Sequence, residues 1–312
     1  MRRISIVVPV YNEEESIDLF LKTMEETLTP LRENYAFDYV FVNDGSRDNT
    51  LSILVKARET YPQISIVDFS RNFGKEAALT AGIDNAKGDA VIPIDVDLQD
   101  PPEVVIELIK KWEEGYDVVL ARRADRSTDS AAKRLTALWF YQFINTIAKP
   151  KIPENVGDFR LMDRMVVEAL KKLPERRRFM KGLFAWVGFK TTIVDYERKS
   201  RQAGTTKFSG WKLWNFALEG ITSFSTALLE IWTYIGLLIS SVAFAYLAWI
   251  IGSALLFGKD MPGYASTMAT ILFLGGAQMV GLGIMGVYIG RIYVEVKGRP
   301  IYIVRDYYPE QV

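Results

Sequence analysis

The sequence contains neither cysteine nor histidine. These two absences exclude thiol nucleophiles, zinc sites built from thiolates, imidazole bases and Ser-His-Asp triads. Any catalysis must therefore use carboxylates, lysine, arginine, tyrosine, hydroxyl groups, backbone amides or a metal ion held by oxygen atoms. The redox compartment stays open, because a chain without cysteine is compatible with any of them.

An excess of either charge sign is also absent, because 38 Lys and Arg residues balance 38 Asp and Glu residues. Nothing in this balance indicates a polyanionic partner, so we expect no binding to nucleic acid. The N-terminal segment Met1–Val10 lacks the layout of a signal peptide and leads directly into a predicted strand. A chain of 312 residues has room for one large domain or two ordinary ones.

The mean hydropathy of +0.06 averages over two very different parts of the chain. Residues 1 to about 205 alternate short apolar runs with amphipathic stretches, which predicts an α/β domain with a mostly parallel sheet and right-handed crossovers. The predicted strands are Ser5–Val10, Tyr39–Asn43, Ile64–Phe69, Ala90–Ile94 and Asp117–Ala121. The predicted helices are Glu15–Leu28, Thr50–Tyr61, Lys75–Ala86 and Pro102–Glu114.

Two long apolar segments follow, Ile231–Phe257 and Tyr264–Gly290, and neither contains a charged residue. Each exceeds the roughly 20 residues that a membrane-spanning helix needs. A pair of buried core helices is the alternative, but two such lengths joined by the short turn Gly258–Gly263 favour a transmembrane hairpin. Basic residues flank both outer ends of the hairpin, so the positive-inside rule predicts cytosolic chain termini.

These features predict a division into a cytosolic α/β domain (1–205), a juxtamembrane amphipathic helix (206–229), two transmembrane helices (230–290) and a cytosolic C-terminal tail (291–312). Ala131–Ala148 and Phe208–Phe224 combine aromatic and basic residues, which suits the bilayer interface, although such helices can instead cover the sheet. The small-residue pairs Ala277/Gly281 and Gly286/Gly290 permit self-association into a homo-oligomer, or simply reflect the ordinary glycine content of membrane helices.

Asp95 and Asp97 follow the predicted strand Ala90–Ile94, just before two prolines. Alternate residues of an extended chain point the same way, so both carboxylates can face one site. In an open α/β sheet, that site is the ligand crevice beyond the carboxyl ends of the strands. Paired carboxylates there suit a hard divalent cation shared with phosphate oxygens.

Polar residues follow the other predicted strands at the same edge. A nucleobase can stack on Pro9 and Tyr11, while Asp44 accepts hydrogen bonds from a base or a ribose. For Ser46 and Asp48, a turn and a helix cap are favoured over a role in the site. Further along, Gly74 permits close approach to a helix start, where Lys75 can reach a diphosphate.

Taken together, these motifs resemble the family-two inverting glycosyltransferases, and among them the polyprenyl-phosphate glycosyltransferases. The matching segments are Val7–Glu13, Asn43–Ser46, Arg71–Lys75, Asp95–Asp97, Gln99–Pro102 and Arg201–Lys207. The resemblance implies a GT-A nucleotide-sugar-binding (Rossmann-like) domain followed by amphipathic interface helices and a transmembrane hairpin. The two-helix hairpin favours the bacterial bactoprenol branch, and hence the bacterial inner membrane.

Position by position, the resemblance implies three groups of site residues. The donor and acceptor would contact Pro9, Tyr11, Glu13, Asp44, Lys75, Asp95, Arg122, Arg126 and Lys207. The metal, Mg²⁺ or Mn²⁺, would be held by Asp95, Asp97 and Gln99. Catalytic roles would fall to Asp97, Asp158 and Arg201. A lipid phosphate is largely dianionic at neutral pH, so Asp158 either acts as a base or only positions neighbouring groups.

The implied reaction is metal-dependent transfer of a hexose from a nucleotide sugar to undecaprenyl (polyprenyl) phosphate at the cytosolic membrane face, with inversion. Glucose from UDP-glucose is the first choice of donor. Mannose transfer of the dolichol-phosphate mannose synthase type, or another sugar, remains an alternative. So does a catalytically inactive membrane scaffold that has kept the nucleotide-sugar fold.

Overall fold

A computed structural model describes residues 1–124, 153, 156–176, 178–197, 227–257 and 263–311. The chain divides into two compact units. One comprises Met1–Gly220 with Arg299–Val312, and the other comprises Ile221–Gly298. The predicted interface helices, Ala131–Ala148 and Phe208–Phe224, lie outside the described residues, as do Arg126, Arg201 and Lys207.

The first unit is built on an eight-stranded sheet in the order β7-β5-β6-β4-β1-β2-β3-β8. Pairing is parallel between β1 and β2, β1 and β4, β2 and β3, and β5 and β7. Strand β6 runs antiparallel to β4 and β5, and β8 runs antiparallel to β3. The strands are β1 (Arg2–Val10), β2 (Tyr35–Asn43), β3 (Ile64–Phe69), β4 (Ala90–Pro93), β5 (Val118–Arg123), β6 (Val156–Asp163), β7 (Thr191–Tyr196) and β8 (Val304–Tyr308).

Helices connect the strands of the described part of this unit. They are α1 (Ile17–Leu28), a 3₁₀ turn (Thr29–Leu31), α2 (Thr50–Ala57), α3 (Lys75–Asn85), α4 (Val104–Glu113), α5 (Arg164–Lys171) and α6 (Met180–Trp186). Asp163 caps α5, because its carboxylate accepts a hydrogen bond from the Met165 amide at 2.9 Å. The same carboxylate accepts from the Trp112 indole at 2.8 Å, which fastens α4 to the end of β6.

The core lies between the sheet and its helices. Strands β1, β2 and β3 are buried almost throughout, as expected for central parallel strands covered on both faces. On one side, α1 packs its apolar face, including Phe20 and Met24, into the core. Helix α3 is buried nearly all round, and at Gly82 an added Cβ would lie 2.2 Å from Val7 Cγ1. Glycine therefore allows α3 to lie directly on β1.

The predicted α/β layering is confirmed. Strand β3 has its predicted bounds, whereas β1 and β2 begin earlier than predicted and α2 ends earlier, at Ala57. Helix α4 begins at Val104 rather than Pro102, because the amides of Val104 and Val105 donate to the carbonyls of Pro101 and Pro102 in turns that precede the helix. The domain limits given above remain a prediction.

The second unit contains two long helices, α7 (Ala227–Phe257) and α8 (Tyr264–Lys297). Both contain segments long and apolar enough to cross a membrane, Ile231–Ser253 and Phe273–Lys297, and almost none of either segment is buried. Helix α8 continues past Gly290, where the apolar run ends, and stops at Gly298 in the left-handed conformation.

Candidate active site

The site lies at the edge of the sheet where β1, β2, β3 and β4 end. The loops after β1 and β2 bind each other directly. The Asn12 amide donates to Ser46 Oγ at 3.0 Å, and Asn12 Oδ1 accepts from the Arg47 amide at 2.9 Å. Asn12 adopts a positive φ of 54°, which asparagine tolerates better than most residues. The two loops therefore form one wall of the crevice.

Asp44 ties this wall to the loop between β3 and α3. Its carboxylate accepts from the Phe73 amide at 2.6 Å and from the Gly74 amide at 2.9 Å, and the residue is only 4% exposed. Burial raises the pKa of Asp44, and the two amide hydrogen bonds oppose that rise. Each carboxylate oxygen can accept a second hydrogen bond, so Asp44 can still accept from a ligand.

Gly45 allows the two loops to meet. It has a φ of +66°, and an added Cβ would lie 2.4 Å from the carbonyl carbon of Arg71. No other residue fits such a contact without moving the backbone.

Lys75, the first residue of α3, bridges two carboxylates. Its ammonium lies 2.8 Å from Asp95 and 3.0 Å from Asp158. Asp158 reaches this point because β6 pairs antiparallel with β4, and the register that sets Ala90 opposite Asp163 brings Asp158 opposite Asp95 when both strands are continued. The structure thus joins residues from three elements into one ionic cluster.

The three groups of this cluster differ in the direction in which the site shifts their pKa values. Burial opposes the charge on Lys75, but the two carboxylates outweigh it and raise the pKa of the ammonium. Burial also raises the pKa of Asp95. For Asp158, burial is outweighed by Lys75 and Lys181, so its pKa falls below the usual value. Asp158 is therefore a stable anion and a weak base.

Asp97 and Gln99 form the next turn of the chain. Gln99 donates to the Asp97 carboxylate through its backbone amide at 3.2 Å and through its side-chain nitrogen at 2.7 Å. Leu98 between them has a φ of 53°, an uncommon conformation for an apolar residue. Backbone strain of this kind concentrates at functional sites.

The remaining predicted residues are spread around the crevice. Pro9 lies in β1, and Tyr11 just beyond it is 43% exposed, as a stacking platform requires. Glu13 accepts from the Ser16 hydroxyl at 2.9 Å. Arg122, near the end of β5, forms a two-point ion pair with Asp195, at 2.7 and 2.9 Å, and both side chains are largely exposed.

Sequence reasoning missed three charged residues here: Glu76, Arg160 and Lys181. Glu76 accepts from the Met180 amide at 2.9 Å, and burial raises its pKa to about 7. Arg160 is 4% exposed, and burial lowers its pKa to about 10. The alternation Asp158-Phe159-Arg160 was the available signal, since alternate residues of a strand share a face.

Arg160 and Lys181 also line a cavity of about 170 Å³. The Arg160 guanidinium lies 4.0 Å from the centre of the Phe184 ring and donates to the carbonyl of Gly157 at 2.6 Å. The other walls are mostly apolar: Val118, Leu120, Pro153, Val156, Ala185, Gly188, Phe189 and Thr191. Two cations beside apolar walls suit an anionic group that bears an apolar chain.

Comparison with known proteins places this geometry in context. The model of the family described as glycosyl transferase family 2 matches residues 5–171. A prophage bactoprenol glucosyl transferase homolog of Escherichia coli K12 is 59% identical over 303 residues, covering 97% of this chain and 98% of that protein. The SfII prophage-derived bactoprenol glucosyl transferase of Shigella flexneri is 58% identical, covering 97% of each chain.

Among solved structures, the mannosyl-3-phosphoglycerate synthase of Rubrobacter xylanophilus shares 16% identity at a TM-score of 0.49, over 84% of this chain and 78% of that one. A likeness at that level supports no statement about substrates.

Proposed function

The chain belongs to glycosyl transferase family 2, and from this premise we propose that it transfers glucose from UDP-glucose to the phosphate of undecaprenyl or another polyprenyl phosphate. It is a glycosyltransferase with a mixed α/β GT-A-like fold. The names of its full-length relatives support glucose and the bactoprenol carrier. The observation that favours transfer to a phosphate is the state of Asp158, which Lys75 and Lys181 hold as a weak base.

The acceptor chemistry explains this arrangement. A hydroxyl acceptor needs a base to remove its proton, whereas a phosphate monoester is already largely ionised at neutral pH. An Asp158 with a lowered pKa is poorly suited to removing a proton but well suited to holding Lys75 in place. Lys75 then directs positive charge toward the diphosphate of the donor.

The residues present fit a divalent cation by the chemistry of their donor atoms. Asp95, Asp97 and the Gln99 amide offer oxygen ligands, which Mg²⁺ and Mn²⁺ prefer. Among the described residues, no group of three acidic side chains is arranged to hold a metal alone. Donor phosphate oxygens would complete the coordination of an ion held by Asp95, Asp97 and Gln99. Bound there, the cation would neutralise the departing diphosphate.

On the donor side, Tyr11 and Pro9 would stack on the base, while Asp44 and Glu13 would accept from the nucleoside. On the acceptor side, Arg160 and Lys181 would bind the lipid phosphate from their cavity, together with Arg122. Arg126, Arg201 and Lys207 remain predicted phosphate ligands. One in-line displacement by the acceptor oxygen breaks the bond between the anomeric carbon and UDP, so the product is inverted.

We also propose that the protein lies in the bacterial inner membrane, with its catalytic unit and both termini in the cytosol. The two exposed apolar helices support membrane insertion, and the flanking basic residues support this orientation. In this arrangement the acceptor phosphate stays at headgroup level while its prenyl chain remains in lipid.

The experiment is transfer of radiolabelled sugar to undecaprenyl phosphate in detergent with Mg²⁺ or Mn²⁺. The donors are UDP-glucose, GDP-mannose and UDP-N-acetylglucosamine. We expect a chloroform-soluble product from UDP-glucose that EDTA abolishes. Asp97→Asn should lower kcat by about 100-fold or more, whereas Asp18→Asn, a change on the exposed face of α1, should not.

A product from GDP-mannose alone would replace glucose with mannose in this proposal. Folded protein that gives no lipid product from any donor would refute transfer to a lipid phosphate and favour the inactive scaffold.

A further inference from the structure

The segment Arg299–Gln311, here called the C-terminal strap, follows α8 and belongs to the same compact unit as the sheet. Its strand β8 pairs with β3, with Val304 opposite Phe69 and Tyr308 opposite Ile66. Glu310 near its end forms ion pairs with Arg3 and Lys87. The strap is therefore fixed at several points along the edge of the sheet.

Tyr302 in the strap contacts both elements that flank the loop Ser70–Gly74. Its ring stacks on Phe69 at the end of β3, with ring centres 5.1 Å apart and planes within 14°. Its hydroxyl donates to Asp84 near the end of α3 at 3.0 Å. The next residue, Ile303, accepts a hydrogen bond at 3.0 Å from the Ser70 amide, the first of the loop.

The same loop supplies half of the proposed donor site. Phe69 packs edge-to-face on Phe73, with ring centres 5.6 Å apart. The amides of Phe73 and Gly74 hold Asp44, and Lys75 follows immediately. A shift of Phe69 would therefore move Phe73 and, with it, the amides that orient Asp44.

We propose that Tyr302 is a positioning residue for the nucleotide-sugar donor: it bridges β3 and α3, and so holds the loop Ser70–Gly74 in the conformation that orients Asp44 and Lys75. The identity of the ligand rests on the function proposed above, but the bridging role does not. Tyr302 touches neither Asp44 nor Lys75 in any described contact, so it acts through Phe69 and Asp84.

The test uses the full-length protein in detergent and three variants. Tyr302→Leu keeps apolar bulk but removes both the stacking and the hydroxyl, while Tyr302→Phe keeps the stacking alone. Tyr307→Leu is the matched control, because Tyr307 lies in the same strap, opposite Val67, and is 43% exposed. Two quantities are measured: hydrogen exchange of the segment 70–75 without ligand, and KM and kcat for UDP-glucose.

We expect Tyr302→Leu to speed exchange of the Phe73 and Gly74 amides by roughly two- to tenfold, the range that loss of an aromatic pair gives. The KM for UDP-glucose should rise by a similar factor, with kcat changed less than about twofold. Tyr302→Phe should fall between Tyr302→Leu and the wild type, and Tyr307→Leu should match the wild type.

Unchanged exchange of the segment 70–75 in Tyr302→Leu would overturn the inference, as would equal acceleration in Tyr307→Leu, because the effect would then belong to the whole strap. Exchange needs no substrate, so the two proposals fail separately. Faster exchange in a protein that transfers no glucose would refute only the proposed donor and reaction.

Discussion

At the scale of single residues, Lys75 is the charge on which the cluster depends. Without it, Asp95 and Asp158 would face each other with no cation between them. Loss of the ammonium would remove the charge that opposes the effect of burial on Asp95, so the pKa of Asp95 should rise further. We expect Lys75→Gln to lower kcat/KM for the donor by about 100-fold and to add an ionisation to the pH–rate profile.

The control for this variant is Lys110→Gln, which removes an equal charge from an exposed pair on α4. It should leave the rate and the pH profile unchanged. Wild-type kinetics in Lys75→Gln would show that the bridge to Asp95 and Asp158 has no part in turnover.

Gly45 offers a second test, because the chain contains a matched glycine. Gly45 and Gly115 both have positive φ, but only at Gly45 would a Cβ meet backbone, that of Arg71 and Asn72. Gly115→Ala should therefore cost only the conformational penalty, about 1 kcal/mol. Gly45→Ala should cost more, about 2–4 kcal/mol, and also raise the KM for the donor.

Thermal unfolding and donor kinetics of the two variants measure this difference. If both variants lose the same stability and have the same KM, the loops after β2 and β3 can move apart without loss of free energy. Their close contact at Gly45 would then not be needed for donor binding.

At the scale of elements, Glu76 joins the start of α3 to the start of α6 through its hydrogen bond from the Met180 amide. Burial raises its pKa from 4.5 to about 7. Between these values the folded state keeps a proton that the unfolded chain has lost. The contribution of Glu76 to the free energy of unfolding therefore falls as the pH rises from about 4.5 to 7, and it is constant above pH 7.

Glu76→Gln removes this titration but keeps an oxygen that accepts from Met180. We expect the variant to lose less stability than the wild type between pH 5 and pH 8, measured as the shift in thermal midpoint. Glu168→Gln, on the exposed face of α5, should keep the wild-type pH dependence. An identical pH dependence in Glu76→Gln and the wild type would contradict the raised pKa.

The elements also show which features the sequence could predict. Helices α1 and α4 were predicted because their apolar residues repeat with a helical period, whereas β3 was predicted as a short apolar run. Strand β8 was not, because Val304–Tyr308 is an edge strand with two adjacent charges and mostly exposed side chains. The partners of Lys75 were also out of reach: Asp158 follows Asp95 by 63 residues, and only the antiparallel register of β6 brings them together.

At the scale of the whole molecule, the two units differ in how much of their large apolar side chains they expose. Most large apolar side chains are buried in the first unit, whereas many on α7 and α8 are exposed, including Phe244 at 71% and Leu255 at 81%. Soluble proteins rarely leave such contiguous apolar surface in water. A bilayer removes that cost, because lipid solvates apolar side chains while each helix satisfies its own backbone hydrogen bonds.

The proposed topology can be tested with thiol reagents, because the natural chain has no cysteine and is therefore not labelled by them. Lys259→Cys lies in the segment that joins the two apolar helices, and Glu59→Cys lies on the exposed surface of the first unit. The cells used have a permeabilised outer membrane and an intact inner membrane. A maleimide that cannot cross the inner membrane should label only the Lys259→Cys variant. After lysis it should label both, since the reagent then reaches the cytosolic face. Labelling of Glu59→Cys in intact cells would reverse the orientation. It would also separate the catalytic unit from cytosolic nucleotide sugars, so the proposed donor would then have to be abandoned together with the topology.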